Sequence, residues 1–374
     1  MQSENADNIR SDISLVCSRE VESDRRERFA IRLSQQDLER RAWKRRVEMI
    51  HVNTDIVINT AARFKQMLDD LDGATEGQCL AIPAASGAGK SHLLGRLRLE
   101  PRLASFNDNS GPIRPLIHIK APSPCTLKTL GLTLYFTLTG KELSARLTDH
   151  AIWRQVVYQL HAQFVSVIMI DEFHHALYGR TGEQQRLVAE TLKNLILPDP
   201  DDPLRPPGAE LRPVSLVLSG MPWFRNVLMQ DTQLKDRCIF ASIKPLKQSN
   251  LCLKKAKAFL SLVESKLEFT APSRLSEADM IQRMLKASNG YTGRMMRFIK
   301  RASFRAIQSN SNCIDQVKHL GFVFEEIYEL GERRNPFLVP DISKFPKLKE
   351  ADFGKLTRLI GTAQAGDETQ DNAA

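Results

Sequence analysis

The sequence predicts an α/β fold in which a parallel five-stranded sheet lies between layers of helices (αβα) and is followed by a small helical domain. Three observations support this prediction. Five short apolar runs are separated by segments long enough for one or more helices, which is typical of buried parallel strands. Apolar residues recur among charges with helical spacing before Gly73, and no convincing strand-like run follows Pro245.

The elements can be placed in order along the chain. Residues 13–70 read as helices because they lack glycine and proline. Residues 251–330 read as a helical bundle that is interrupted near Pro272 and at Gly290–Gly293. The five expected strands lie between these regions, at Cys79–Pro83, Pro115–Ile119, Phe164–Ile170, Val214–Ser219 and Ile239–Ile243.

The composition is that of an ordinary globular protein. Of the 374 residues, 42% are hydrophobic and 26% are charged, which excludes a wholly disordered, collagen-like or coiled-coil chain. No run approaches the roughly 18 apolar residues of a membrane helix, and Met1–Asp12 is polar, unlike a signal peptide. The six cysteines form no C-x-x-C pair and have no zinc-ligand spacing. We therefore expect a cytoplasmic protein with reduced thiols and no membrane association.

A glycine-rich segment directly follows the first expected strand. Ala84–Ser91 reads AASGAGKS, the phosphate-binding loop pattern with Ala84 where the first glycine usually stands. Gly87 and Gly89 let the backbone curl so that successive N–H groups point at a β-phosphate, next to the positive end of the following helix. The alternative is a glycine-rich turn that binds nothing. The expected nucleotide-binding residues are Ala85, Ser86, Gly87, Ala88, Gly89, Lys90, Ser91 and His92.

Two residues of this loop have expected contacts with the nucleotide and its metal. Lys90 would reach the β- and γ-phosphates of ATP, and Ser91 would supply its hydroxyl to Mg²⁺.

Two adjacent acids end the third expected strand. Asp171 would hold the same Mg²⁺, while Glu172 would polarise a water for attack on the γ-phosphate. Acids at a strand end are also ordinary caps. His174 and its neighbour His175 would either help to sense the γ-phosphate or cap the next helix.

Three further polar residues are catalytic candidates. Ser219 closes the fourth strand and would bind the attacking water or the γ-phosphate, or else belong to a simple turn. Arg237 precedes the fifth strand and is the candidate arginine finger for a neighbouring subunit; the alternative is a surface salt bridge with Asp236 or Asp231. Arg294 follows a glycine turn and would lean over the phosphates, or else face solvent or DNA.

Positive charge is concentrated in two segments. The chain carries 53 basic and 44 acidic residues, a formal charge of +9. Nine basic residues lie between Arg25 and Arg46, and the stretch from Gln282 to Ile307 contains basic residues and no acid. Such segments repel each other unless an anion lies between or along them, and a polyphosphate backbone is the commonest such partner. The alternative is a pair of solvated helix faces.

The order of motifs resembles one group of ATPases. ASGAGKS, IMIDEFHH, LVLSG, QLKDR and GYTGR follow one another as in AAA+ P-loop NTPases of the TniB/TnsC group, the ATP-dependent regulators of DNA transposition. The resemblance covers about residues 40 to 310. Ala84, Lys235–Asp236, the proline-rich insertion at 197–213 and the long carboxyl extension depart from the pattern. The similarity implies a protein that binds ATP, forms a ring or helical filament of identical subunits on double-stranded DNA, and recruits a DDE transposase with a TniQ-like adaptor.

The resemblance also suggests a DNA surface and domain limits. Lys120, Thr126 and Lys128 surround the turn after the second strand, where we expect phosphate contacts that are largely independent of sequence. The expected segments are a basic helical extension (1–50), the nucleotide-binding domain (51–245), a helical lid (246–335) and a basic, then disordered, tail (336–374). Two other functions stay open, an AAA+ replication initiator or helicase loader and a signalling ATPase of the STAND type.

Overall fold

A computed structural model describes residues 33–109, 111–197 and 212–353. These residues form two compact units. The sheet unit comprises Asn53–Ala256 and Ser288–Met295, and the helical unit comprises the described parts of Met1–Val52, Lys257–Ala287 and Met296–Ala374. All four basic residues from Arg25 to Arg32, the greater part of the 197–213 insertion and the 361–374 tail lie outside the described residues.

A five-stranded parallel sheet is the centre of the sheet unit. Its strands are Cys79–Pro83 (β1), Leu116–Lys120 (β4), Val167–Asp171 (β5), Ser215–Gly220 (β6) and Cys238–Phe240 (β7). Their order in the sheet is β4-β5-β6-β1-β7, and β1 pairs in register from Cys79 with Leu216 of β6 and with Cys238 of β7. All five strands fall where the apolar runs predicted them, so the predicted fold class is confirmed.

Helices cover both faces of this sheet. Along β1, Cys79 and Ala81 belong to one apolar cluster, whereas Leu80 and Ile82 belong to another on the opposite face. Burial on both faces explains why the strands are continuously apolar rather than alternating. The helices of the sheet unit are Asp55–Leu71 (α2), Lys90–Leu97 (α3), Leu127–Thr139 (α4), Asp149–Ala162 (α5), Gly182–Ile196 (α6), Phe224–Leu228 (α7) and Thr232–Arg237 (α8).

One small hairpin was missed by the sequence prediction. The strands Phe106–Asp108 (β2) and Gly111–Ile113 (β3) pair antiparallel, and Phe106 lies opposite Ile113. Each strand has three residues, too few for a period of two to be recognised, and β3 contains a proline. The hairpin does not belong to the central sheet.

The helical unit is held by an aromatic cluster. Phe298 stacks on Phe324 with ring centroids 5.9 Å apart, and Tyr328 and Phe337 complete the group. Its elements, some of which begin in the sheet unit, are Gln35–Glu48 (α1), Asn250–Glu264 (α9), Ala278–Ser288 (α10), Thr292–Gln308 (α11), the π-helix Gln316–Gly321 and Phe322–Tyr328 (α12). No described helix is both long and apolar enough to span a membrane.

Candidate functional site

The loop between β1 and α3 adopts a conformation that requires glycine at two positions. Gly87 has a φ of 72° and Gly89 a φ of 110°, values at which side chains are strained. Gly89 is the N-cap of α3, so the positive end of the helix faces the loop. Ala84 is buried and has no positive φ, which explains why the first glycine of the usual pattern can be replaced here.

Lys90 is a buried cation at the base of this loop. Its side chain is 4% exposed, and its Nζ donates to the carbonyls of Ala84 and Ala85 at 3.2 and 3.3 Å. Burial lowers the pKa of Lys90; Glu172 and Asp171 oppose this shift, and the charge of Arg294 adds to it. A poorly solvated cation among inward-facing backbone groups is a suitable partner for a phosphate.

Two side chains and one backbone N–H group converge on Asp171, at the carboxyl end of β5. Ser91 Oγ donates to Asp171 Oδ2 at 2.7 Å, and Ser219 Oγ donates to Asp171 Oδ1. The backbone N–H of Glu172 also donates to Oδ1, at 2.8 Å. Hydroxyl and carboxylate oxygens in this arrangement form the donor set that Mg²⁺ prefers, so the residues fit the predicted metal. The predicted roles of Ser91, Asp171 and Ser219 are consistent with this placement and remain predictions.

Glu172 has an unusual backbone conformation. Its φ and ψ are 54° and 34°, in the left-handed region that a residue with a side chain seldom adopts. This conformation directs its carboxylate toward the loop, where Oε1 lies 3.9 Å from Lys90 Nζ. Local strain of this kind persists only where the surroundings enforce it, as at many active sites.

His174 is placed beside that carboxylate. Its Nδ1 lies 3.3 Å from Glu172 Oε2, and its ring centroid lies 4.3 Å from that of His175. Burial, followed by the charges of His175 and Lys90, lowers the pKa of His174 to about 4. His174 is therefore neutral at pH 7. The sequence left two interpretations of His174 open, a part in sensing the γ-phosphate and a helix cap. Its position beside the Glu172 carboxylate favours the first.

The glycine turn before α11 packs directly on the phosphate-binding loop. Arg294 is 3% exposed and donates from Nε and Nη2 to the carbonyl of Ser86, at 3.0 and 2.8 Å. A Cβ atom on Gly293 would lie 2.5 Å from the Gly87 carbonyl oxygen, so only glycine fits. Arg294 is therefore not a surface residue, and it holds the loop backbone. Direct contact of this side chain with phosphates remains a prediction.

Arg237 lies away from this cluster. It immediately precedes β7, whose first residue pairs with the first residue of β1, so Arg237 lies at the sheet edge opposite the phosphate-binding loop. The alternative prediction was a surface ion pair of Arg237 with Asp236 or Asp231. Arg237 does form an ion pair, but its partner is Glu76, at 2.7 Å from Nη2. Glu76 lies in a polar loop far away in sequence, so no local spacing indicated this pair.

The three residues predicted to bind DNA differ in exposure. Lys120 ends β4, pairs in register with Asp171 and is exposed, whereas Lys128 is half-buried. Thr126 is the N-cap of α4: its Oγ accepts from the Thr129 N–H at 2.9 Å and its hydroxyl lies 3.2 Å from Thr129 Oγ. The sequence did not reveal this capping box, because Thr129 stands at the N3 position of the helix, where Glu or Gln is usual. The Thr126 hydroxyl thus has a structural role that competes with phosphate binding.

Comparisons with known proteins agree with this geometry at the level of fold. Residues 74–228 match the AAA domain family AAA_22. No curated protein matches the sequence significantly. The match to an AAA domain covers both the phosphate-binding loop and the Asp171–Glu172 pair.

Solved structures with the same fold include two ORC proteins. The chain is similar to the Aeropyrum pernix ORC1 protein in complex with DNA (15% identity, TM-score 0.50), and the match covers 75% of this chain and 66% of that one. The Aeropyrum pernix ORC2 protein, with ADPNP and ADP, is 16% identical with a TM-score of 0.50, covering 78% and 75%. The chain has the AAA+ P-loop fold, and it spans slightly less than two thirds of the ORC1 chain.

Proposed function

We propose that this protein is a Mg²⁺-dependent ATPase that assembles on duplex DNA when it binds ATP. The observation that carries the proposal is the convergence of Lys90, Ser91, Asp171 and Glu172 at one edge of the sheet. A binding loop, a metal-ligand pair and a positioned carboxylate are the parts that phosphoryl transfer to water requires.

Each residue has a distinct role in the proposed reaction. Lys90 binds the β- and γ-phosphates and stabilises the charge that develops on them. Ser91 and Asp171 would hold Mg²⁺, whose positive charge would offset that of the phosphates. Glu172 accepts a hydrogen bond from the attacking water, and Ser219, through its hydrogen bond, fixes the orientation of the Asp171 carboxylate.

The nucleotide state would be transmitted through the loop backbone and between subunits. Arg294 contacts the Ser86 carbonyl, so any movement of the loop on binding ATP would also move the start of α11. Arg237 would act on the nucleotide of a neighbouring subunit after exchanging Glu76 for phosphate. The surplus of basic residues and exposed Lys120 support binding to the DNA backbone, with Lys128 and Thr126 as weaker candidates.

Two biological processes fit this activity. The order of the sequence motifs favours regulation of DNA transposition, with a DDE transposase and a TniQ-like adaptor as partners. Similarity to the ORC proteins, one of them solved with DNA, supports the alternative of a replication initiator or loader better than it supports transposition. Reconstitution would separate the two, because a transposition regulator stimulates strand transfer by a transposase encoded beside it, whereas an initiator retains a replicative helicase on DNA.

ATP turnover in the presence of Mg²⁺, with and without random-sequence duplex DNA, tests the shared activity. We expect hydrolysis that requires Mg²⁺ and increases when DNA is added. An equal rate of ATP hydrolysis with and without DNA would instead favour a signalling ATPase of the STAND type. Absence of hydrolysis under both conditions would contradict the proposal.

A further inference from the structure

The described part of the first basic segment, which includes Arg40 and Lys44, lies beside the second segment in the helical unit. Lys44 of α1 donates to Gln308 of α11 at 2.7 Å, and Arg40 donates to Asn310 at 3.0 Å. These partners are neutral, so the contacts join the segments without removing their positive charge. Held together in this way, the segments place Lys44 beside Arg301 and Arg305 on one surface.

A groove opens between α1, α11 and the helices that follow. Its volume is about 730 Å³, and all of the residues that line it belong to the helical unit. Six of the residues that line it are Lys44, Arg301, Phe304, Arg305, Lys318 and Glu326.

The positive charge of this groove is only partly balanced. Arg305 pairs with Glu326 at 3.5 Å and lies over the Phe322 ring, 3.5 Å from its centroid. Arg301 and Lys318 are exposed, and neither forms an ion pair with any residue that the structure describes. Burial lowers the pKa of His319, which also lines the groove, so this histidine adds no charge at neutral pH.

The basic residues of α11 form a regular row. Arg297, Arg301 and Arg305 are spaced four residues apart, which places them on one helix face at steps of about 6 Å. Arginine presents a planar fork that matches phosphate oxygens. The half-buried ring of Phe304 lies beneath Lys44, with the ammonium nitrogen 6.0 Å from the ring centroid.

We propose that this groove binds the phosphodiester backbone of duplex DNA, with Arg301 and Lys318 as its main contacts. The inference rests on the proposed function, because it names a second surface through which the same protein would hold DNA. Binding here depends on charge and not on base sequence.

The test compares charge-removing variants on random-sequence duplex DNA. Arg301→Gln/Lys318→Gln should weaken DNA binding about tenfold near 0.1 M salt and reduce the slope of log affinity against log salt by about 2, one unit for each lost phosphate contact. Lys347→Gln/Lys349→Gln removes two exposed charges of the same unit that do not line the groove, and it should leave both quantities close to wild type. Fluorescence anisotropy from 50 to 200 mM salt measures both.

Further arms separate the possible failures. The charge-preserving variant Arg301→Lys/Lys318→Arg should retain the wild-type salt slope, which excludes misfolding as the cause of a loss. If Arg301→Gln/Lys318→Gln binds DNA like wild type, the groove assignment is overturned while the proposed function stands. If wild type hydrolyses ATP but binds no DNA, the proposed function fails and the groove assignment fails with it. Competition by polyglutamate as effective as that by DNA would overturn the assignment in favour of an acidic protein partner.

Discussion

Arg294 donates two hydrogen bonds to the backbone carbonyl of Ser86, in the middle of the phosphate-binding loop. The neighbouring Gly293 approaches the same loop so closely that a Cβ atom would overlap Gly87 and Ala88. The start of α11 and the loop are therefore one packed element, and a change in either should be felt by the other.

Substitution of Gly293 should damage nucleotide binding from outside the loop. The Cβ atom of Gly293→Ala would lie 2.5 Å from the Gly87 carbonyl oxygen, and relief of such overlap typically costs about 1–3 kcal/mol. We expect ATP affinity to fall about tenfold or more, because the loop must shift. Titration with a fluorescent ATP analogue measures this. Gly95→Ala is the control, since a Cβ there meets no atom within 4 Å; equal affinity in both variants would contradict the packing argument.

Removal of the Lys90 charge should abolish nucleotide binding without lowering the free energy of unfolding. Lys90→Met should abolish nucleotide binding, because no other side chain replaces the buried cation. The same change should leave the free energy of unfolding unchanged or raise it by up to about 2 kcal/mol, since a poorly solvated charge is removed. Calorimetric titration with ATP and denaturant unfolding measure the two effects. Retained ATP binding would contradict the predicted role of the loop.

The low pKa of His174 should make stability depend on pH. Its pKa is about 4 in the folded protein and about 6.5 when unfolded, so the unfolded state binds more protons between these values. The contribution to stability is therefore complete above pH 6.5 and declines as the pH falls toward 4, by up to about 3 kcal/mol. His174→Gln should lose this part of the pH dependence in thermal unfolding experiments. The same pH dependence of thermal stability in wild type and in His174→Gln would contradict the lowered pKa of His174.

Arg237 should affect turnover without affecting nucleotide binding. Arg237→Ala should retain ATP affinity but lower DNA-stimulated hydrolysis by about 1,000-fold, the usual contribution of an arginine finger. Its ion pair with Glu76 is partly exposed, so the loss of stability should stay below about 1 kcal/mol. Glu76→Gln is the control, because it removes the pair and keeps Arg237. Equal loss of hydrolysis in both variants would indicate a structural role.

Local patterns in the sequence predicted the fold and the centre of the site. The strands are recognisable because both sheet faces are covered, which buries β1, β5 and β6 along their whole length. The phosphate-binding loop is recognisable because Gly87 and Gly89 need positive φ. The convergence of Ser91 and Asp171 follows from the parallel sheet, which brings the carboxyl ends of its strands to one edge. Such features depend on residues that are close together in sequence or on a simple topological rule.

The features that were missed depend on contacts between distant segments. The Arg237 partner, Glu76, is 161 residues away, and Arg294 is 208 residues from the carbonyl it contacts. Contacts between residues so far apart in the chain leave no periodic pattern in the sequence. The hairpin at Phe106–Ile113 is too short for its alternation to be read. Backbone conformation also escaped prediction at Glu172, whose φ and ψ lie in the left-handed region.

The central claim is that ATP, held by Lys90 and hydrolysed with the help of Glu172, controls assembly on DNA. Glu172→Gln should bind ATP yet hydrolyse it at least about 100-fold more slowly, and so remain assembled. Sedimentation velocity of this variant on random-sequence duplex DNA, with and without ATP, is the most direct measurement. We predict large, long-lived complexes only when ATP is present. The same sedimentation profile with and without ATP would contradict the account.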